Sequence, residues 1–316
     1  MRRVLPLLSC LLCCLLLPAG AFAQTRLIWG EAEVIGLQTL KREDITSRLP
    51  FKVGAPMEEK EKEILGWCDK LRGSLKVLAL KCSGAVEERT VHLVVEVIES
   101  ADQSFGIRPS NAPAARARIA PEARQLLARR EYRVQEMAAE GQTPSEAITP
   151  SGVIVADDPE LRMFDAQLRE TCFGRRADYV SIVLDPGSQE RREALVLLSW
   201  TGEPETTIAA IHSRLLDPDP EIRNLTGRLI LSFMSRIEDP QIAHDVAQSF
   251  VGQLQIPTHT DRTKAVLGLA QLVAAHPELR DLIADSARAP LEKLARESVL
   301  DNVGGQARAL IARLRG

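Results

Sequence analysis

The chain has 316 residues, of which 45 % are hydrophobic, 26 % are charged and only 4 % are aromatic. This length and this hydrophobic share are enough for a sizeable core, and they favour two domains over one. The formal net charge of −3 gives no long-range attraction for phosphate backbones, and few aromatic side chains are present to stack on bases, so we expect no nucleic-acid partner.

The first 23 residues have the pattern of a secretory signal peptide. Arg2 and Arg3 precede a leucine-rich run, and Ala21-Phe22-Ala23 follows as a cleavage motif. A membrane anchor is the alternative, but the run is short and ends in small residues. We therefore expect the mature chain to begin at Gln24 and to be exported without a membrane span, to the periplasm of a Gram-negative bacterium or, in another source, to the medium.

Residues 24–100 predict a small domain with the element order β-α-α-β-β. The predicted elements are an extended segment over 26–36, a short helix over 41–49, a helix over 57–71, and strands over 75–82 and 90–99. The last strand alternates cleanly. Its predicted inward residues are Val91, Leu93, Val95 and Val97, and its predicted outward residues are His92 and Glu96.

This order resembles a POTRA domain, a small periplasmic module of outer-membrane assembly and secretion proteins. The motifs that carry the resemblance are Val34-Ile35-Gly36, Gly54, and Val95-Glu96-Val97-Ile98-Glu99. The resemblance implies a sheet edge that is open for pairing with an extended peptide. A structural cap for the neighbouring helices is the alternative reading.

Three cysteines remain after signal cleavage: Cys68, Cys82 and Cys172. An exported chain permits one disulfide. A strand that runs back along the helix would separate the sulfurs of Cys68 and Cys82, so small buried side chains are favoured slightly over a bond between them. Cys172 shares an apolar helix stripe with Leu161, Phe164 and Leu168, which predicts that it is buried.

Residues 101–158 predict a helical linker followed by a hinge loop. A helix begins near Pro121 within a run of arginines, and Gly141 to Gly152 has the composition of a loop. The basic cluster comprises Arg116, Arg118, Arg124, Arg129, Arg130 and Arg133. It could contact an acidic partner, although a solvated helix face is favoured.

Residues 159–316 predict an all-α array of helix pairs. The phrase Leu184-Asp185-Pro186 returns 32 residues later as Leu216-Asp217-Pro218, and each time an arginine follows in the second helix, Arg191 and then Arg223. A period of this length with one helix pair per unit is typical of α-solenoids. The later units are predicted as helices over 240–254 and 261–275, an extra short helix over 278–287, and a last pair over 289–300 and 305–314.

These pairs resemble HEAT repeats, with Asp185 and Arg191, then Asp217 and Arg223, at the positions of the family's aspartate and arginine. Arg262 and Arg308 occupy the arginine position in later units. By analogy with such arrays, whose second helices line the inner surface, we expect a protein-binding face. Its candidate residues are Arg192, Asn224, Arg228 and Gln271. We also expect Arg223 to stabilise the array by pairing with an aspartate between units.

The sequence contains no motif for catalysis or for cofactor binding. No histidine stands at metal-binding spacing from another histidine or a cysteine, and no phosphate loop or nucleophile elbow occurs. His244-Asp245 are neighbours on one helix, where adjacent side chains point apart, so ordinary surface residues are favoured.

The sequence therefore predicts an α+β protein, a POTRA-like module followed by a HEAT-like solenoid. We expect it to act as an exported, non-enzymatic scaffold without cofactor or metal, bound to a protein in the cell envelope. The alternative is an envelope enzyme, or its regulatory subunit, with a site at the inter-domain groove.

Overall fold

The structure is a computed structural model that describes residues 27–57, 61–100 and 106–315. The chain is an α+β protein, mostly helical, with a small sheet near its N-terminus. The predicted signal peptide over 1–23 lies outside the described residues. The elements of the N-terminal module are β1 (Ile28–Trp29), β2 (Glu33–Ile35), α1 (Glu43–Thr46), α2 (Glu61–Leu75), β3 (Ala79–Glu87) and β4 (Thr90–Ile98).

The module's sheet has β4 at its centre. The strands β1 and β2 follow one another along one side of β4, both parallel to it, and β3 pairs with its other side in antiparallel register. The four predicted inward residues of β4 are all buried, and they pack with Trp29, Ile45 and Leu71 in one cluster beneath α1 and α2. The alternation in the sequence therefore identified this face of β4 correctly.

Cys68 and Cys82 form a disulfide, with their Cα atoms 6.3 Å apart, so the favoured expectation of two unlinked side chains is wrong. The helix ends at Leu75, later than predicted, and β3 begins only at Ala79. A helix rises 1.5 Å per residue and a strand about 3.3 Å, so the few extended residues before Cys82 return the chain to the level of Cys68. Cys172 is fully buried, as predicted.

Replacing Cys68 and Cys82 together by serine should lower the free energy of unfolding of the module by about 2–4 kcal/mol, because the bond closes a short loop that the unfolded chain would otherwise leave free. Urea unfolding with and without dithiothreitol measures the effect. The reductant should destabilise the wild type and leave the double variant unchanged; a wild type indifferent to reductant contradicts the assignment.

The other face of the sheet packs against the C-terminal helices. Ile35 and Val94 belong to the same buried cluster as the helical core. The neighbours of Val94 on this face of β4 are His92 and Glu96, which were predicted to point outward. Gly36, with a φ of +93°, permits this close contact, since a Cβ there would lie 2.8 Å from Pro257. The module's own helices thus cover one face of the sheet, and the array covers part of the other, where Lys81 and Ser83 stay exposed.

An extended segment then leads back along the array to its first helices. The N–H of Arg108 donates to the carbonyl oxygen of Leu216 (2.7 Å), and the hydroxyl of Ser110 donates to the carbonyl oxygen of Leu184. Further on, the N–H of Ala115 donates to the Asp185 carboxylate at 2.9 Å. The linker therefore passes the turn of one helix pair and then that of the preceding pair, bonding to each.

After the linker come α3 (Pro121–Ala139), β5 (Glu146–Ile148) and β6 (Ile154–Ala156). The two strands form an antiparallel hairpin, so the predicted loop over 141–152 is in part a strand. The arginines of α3 were expected to be solvated, and for Arg130 this is wrong. Its buried guanidinium contacts Asp165 and Glu146, both at 2.7 Å. The acidic partner of this helix is the chain itself.

The remaining helices are α4 (Pro159–Cys172), α5 (Arg176–Leu184), α6 (Arg191–Leu197), α7 (Pro204–Ile211), α8 (Pro220–Phe233), α9 (Pro240–Gln253), α10 (His259–Ala275), α11 (Arg280–Glu297) and α12 (Gln306–Arg315). Short 3-10 turns extend α6, α7 and α8. The predicted short helix over 278–287 and the helix after it are one helix, α11, which contains Pro290. Burial of Ala287 and Leu291 on either side outweighs the local cost of that proline.

The helices form two layers. The first helices of the pairs, α5, α7, α9 and α11, contact one another in series, and so do the second helices, α6, α8, α10 and α12. One continuous cluster of buried side chains runs between the layers from Ile119 to Leu310. Asp158 and Asp219 cap the starts of α4 and α8, where their carboxylates accept from backbone N–H groups.

A ladder of buried ion pairs links successive units. Arg191 contacts Asp217 of the next unit at 2.5 Å, and Arg223 contacts Asp261 of the unit after that at 2.9 Å. The pairing predicted for Arg223 is confirmed, although its partner lies inside α10 and not in a turn. Arg262 forms no ion pair of this ladder. The charges that act on it include Glu33 and Glu96 of the N-terminal module.

Candidate interaction surfaces

Three glutamates on one face of the module's sheet hold it against the array. Glu96 accepts from the N–H of His259 at 2.7 Å, at the start of α10. Glu33 accepts from Val299 at 2.8 Å, and Glu87 accepts from Asp301 and Asn302 at 3.0 and 2.8 Å. These carboxylates satisfy backbone donors that the array leaves unpaired around α11 and at the start of α10.

A cavity of about 190 Å³ lies at this junction, which is where the alternative reading of the sequence places the site of an enzyme. Its charged lining residues are Glu33, Arg262, Lys293 and Glu297. Burial raises the pKa of Glu33 against the effect of its bond to Val299, and burial lowers the pKa of Arg262 despite the nearby carboxylates. The direct partner of Glu33 is the backbone N–H of Val299, so this carboxylate joins the module to the array.

The half-buried carboxylate of Glu96 should make the contact between the module and the array depend on pH. Burial raises the pKa of Glu96 above its ordinary value of 4.5, against the lowering effects of the His259 N–H, Lys81 and Arg223; Asp261 adds to the rise. The folded chain thus binds this proton more tightly than the unfolded chain. The stability that Glu96 contributes is present below about pH 4.5 and is lost as the pH rises through the higher folded pKa.

Glu96→Gln should therefore gain stability relative to the wild type between pH 4 and pH 7, because glutamine still accepts from His259 without a buried charge. Urea unfolding at a series of pH values measures the difference. Asp157→Asn, at an exposed site directly after β6, is the control and should track the wild type. A difference between Glu96→Gln and the wild type that stays constant with pH contradicts the assignment.

The outer edge of β3 is open. The N–H groups of Ile28 and Gly30 donate to the carbonyls of Arg89 and Val91, so the odd residues of β4 bond to β1 and the even residues bond to β3. By the register of β3 with β4, the partners of those even residues are the odd residues of β3. The backbone groups that face away from the sheet are therefore those of Leu80, Cys82, Gly84 and Val86.

No other strand in the described ranges pairs with this edge. Val86 is 61 % exposed, and a Cβ added at Gly84 would meet only the side chain of Val91 at 3.8 Å. Lys81 is exposed on the same strand, where lysine commonly discourages unspecific pairing. The edge can thus accept one further strand through four residues of backbone.

A second surface is the hairpin groove, which we define as the space between α3, the β5–β6 hairpin, α6 and α8. It has a volume of about 400 Å³, and a further space of about 490 Å³ shares Glu146, Ile154 and Ser232 with it. Apolar side chains of the second helices line it, among them Leu195, Val196, Leu225 and Leu229. The hairpin that forms one wall was not predicted from the sequence.

The structure separates the four residues of the predicted binding face. Arg192 and Arg228 line the hairpin groove, whereas Asn224 and Gln271 are half-buried outside its lining. Arg192 is paired with Glu221 at 2.9 Å and with Glu131 at 3.7 Å. Among the described residues, Arg228 has no ion-pair partner. Sequence reasoning missed other groove residues, above all Trp200. The chain fold brings Trp200 next to α3, although the two are far apart in the sequence.

His244 and Asp245 contact each other at 3.3 Å on an accessible helix surface. His212 instead bonds to the hydroxyl of Ser249 at 3.0 Å, a pairing that the sequence did not suggest. Burial lowers the pKa of His212, opposed by Asp245. Neither His212 nor Ser249 lines the groove or the junction cavity, so this pair lacks a binding site for a substrate there.

In comparisons with known proteins, no family model, curated protein or solved structure matches the chain. The described residues contain no group of three or more His, Cys, Asp or Glu side chains placed to hold a metal ion. Within the same ranges, no helix combines the length and the apolarity that crossing a membrane requires.

Proposed function

We propose that this chain is an exported, non-enzymatic adaptor that works by protein–protein contact in the cell envelope. It combines a POTRA-like module with a HEAT-like array, and its place is the periplasm or the exterior, as the signal-peptide pattern over 1–23 predicts. The observation that carries the proposal is the open edge of β3. An extended segment of a partner adds to this edge as a further strand, through main-chain hydrogen bonds.

Several contacts hold the module and the array in a fixed arrangement, which supports the adaptor proposal. The array holds one face of the sheet through Glu33, Glu87 and Glu96, and the module's own helices cover the other. The edge of β3 is therefore the part of the sheet whose backbone hydrogen-bonding groups are left for a partner. The linker bonded along the array adds to this fixed geometry.

A single proline tests the proposal. Val86→Pro removes one outward N–H and leaves the bonds between β3 and β4 intact, since the backbone groups of Val86 face away from β4. The matched control Val86→Thr keeps the N–H and the β-branched shape. The mature chain, immobilised, captures proteins from an envelope extract of the source organism, and mass spectrometry with isotope labels quantifies them.

We expect the captured proteins to fall by about tenfold with Val86→Pro, a change of 1.4 kcal/mol, and to be retained with Val86→Thr. Unfolding curves of both variants should match the wild type. Equal capture by the wild type and Val86→Pro, or no capture at all, contradicts the proposal.

A further inference from the structure

The hairpin groove has two walls of different charge. Arg192 and Arg228 belong to the wall formed by α6 and α8, and Glu131 and Glu146 to the wall formed by α3 and the hairpin. The two glutamates have partners of their own, Arg192 for Glu131 and Arg130 for Glu146. Arg228 is thus the lining residue whose charge no described carboxylate neutralises.

A second cation lies beside Arg228. The stem of Lys264 in α10 packs on Gly227, where an added Cβ would come within 2.7 Å of the lysine Cδ. Lys264 itself lies outside the lining of the groove and has no ion-pair partner among the described residues. Burial lowers its pKa, the charge of Arg228 adds to this lowering, and the carboxylate of Asp261 opposes it. The two like charges repel each other, and an anion bound to Arg228 in the groove would relieve part of that repulsion.

The floor of the groove adds an unsatisfied donor. Trp200 is only 2 % exposed, it lines the groove, and its indole N–H has no acceptor in the described chain. The guanidinium of Arg130 lies 5.0 Å from its ring centroid and fixes the ring from one side. A buried N–H of this kind costs free energy unless some group accepts from it.

These observations favour a peptide over a phosphate polymer. Apolar residues form much of the lining, among them Leu195, Leu225 and Leu229, and they suit aliphatic side chains. The carboxylates of Glu131 and Glu146 would repel a chain with a charge at every unit. A segment that alternates acidic and apolar side chains fits both, because its carboxylates face α8 while its apolar side chains meet the floor.

We propose that the hairpin groove binds an extended segment of a partner protein that carries acidic side chains, which Arg228 recognises. This site deepens the proposed adaptor function, on which it rests, and it is separate from the edge of β3. It gives the adaptor a second contact with its partner, on the helical part of the chain.

Phage display tests the site without knowledge of the partner. A library of random twelve-residue peptides is selected on the mature chain that carries Val86→Pro, so that the β3 edge is blocked. Enriched peptides are synthesised, and their affinities are measured by fluorescence anisotropy for four chains: the Val86→Pro chain alone, and the same chain with Arg228→Glu, Arg228→Lys or Arg288→Glu. Arg288 is exposed on α11, outside the groove lining, and its reversal changes the net charge equally.

The enriched peptides should contain acidic residues among apolar ones. Arg228→Glu should weaken their binding by about tenfold or more, whereas Arg228→Lys and Arg288→Glu should stay within about threefold. Exchanging the acidic residues of a peptide for lysine should restore its binding to Arg228→Glu. These results would support the groove site even if the β3 edge binds nothing.

Three results would overturn the inference. The first is that no peptide is enriched, or that the enriched peptides lack acidic residues. The second is equal weakening by Arg228→Glu and Arg288→Glu, which would show an effect of net charge alone. The third is competition by single-stranded DNA at the same concentration as the peptide, which would make the site a general polyanion surface.

Discussion

Arg223→Met should lower the free energy of unfolding by about 3–5 kcal/mol, because it leaves the carboxylate of Asp261 buried without its cation. Both side chains are about 4 % exposed, and the guanidinium bonds to Asp261 at 2.9 and 3.0 Å. The same group donates to the carbonyl oxygen of Asp217 at 2.8 Å, so its loss also leaves that acceptor unpaired. Gln253 and Thr258 still donate to Asp261, which favours the lower end of the range.

Urea unfolding followed by circular dichroism measures this effect. Arg228→Met, on the exposed face of the same helix, is the control, and it should change stability by no more than about 0.5 kcal/mol. The double variant Arg223→Met with Asp261→Leu should recover part of the loss, since no unpaired charge remains buried. A single variant as stable as the wild type would show that the ladder does not join the units.

Asp165→Ala should be about as costly, at about 3–5 kcal/mol, and its effect should reach the hairpin groove. The carboxylate of Asp165 has no solvent exposure, and it accepts from Arg130 and from the N–H of Ala156, both at 2.7 Å. Ala156 belongs to β6. Without Asp165 the buried guanidinium retains only Glu146 as its counter-ion, and the hairpin loses its bond to α4.

Two measurements check this prediction. Urea unfolding gives the stability, and amide hydrogen exchange over residues 146–156 should become faster in the variant. Asp157→Ala is the matched control, because Asp157 accepts from Ser145 at the exposed end of the same hairpin. We expect that control to lose no more than about 1 kcal/mol. Unchanged exchange in Asp165→Ala would mean that the hairpin is held by other contacts.

Local patterns in the sequence predicted much of the helical part. Stripes such as Leu161, Phe164 and Leu168 are buried as expected, because a helix of period 3.6 must place them on one face. The Asp-Pro phrases predicted helix ends for a similarly local reason: Asp185 follows α5, and Asp217 follows the 3-10 turn that extends α7. The ion pair of Arg223 followed from the repeat, since equivalent residues in successive units meet equivalent neighbours.

Contacts between distant residues were beyond these patterns. Alternation assigned His92 and Glu96 to an outward face, but it cannot show that helices more than 160 residues later cover part of that face. The sequence predicted a solvated surface for the arginines of α3, because their partners are distant in the chain. Asp165 lies on α4, and Glu190 directly precedes α6. The hairpin groove depends on the same contacts, which explains why only Arg192 and Arg228 were found in advance.

Site-specific photo-crosslinking tests the adaptor proposal most directly. The photo-reactive residue p-benzoylphenylalanine replaces Val86 on the open edge or, as a control, Tyr132, which is 63 % exposed on α3. Irradiation of living source cells should join position 86, and not position 132, to a partner protein, and adding Gly84→Pro should abolish the adduct. Position 86 without an adduct, or an adduct that Gly84→Pro leaves unchanged, would contradict strand addition at β3.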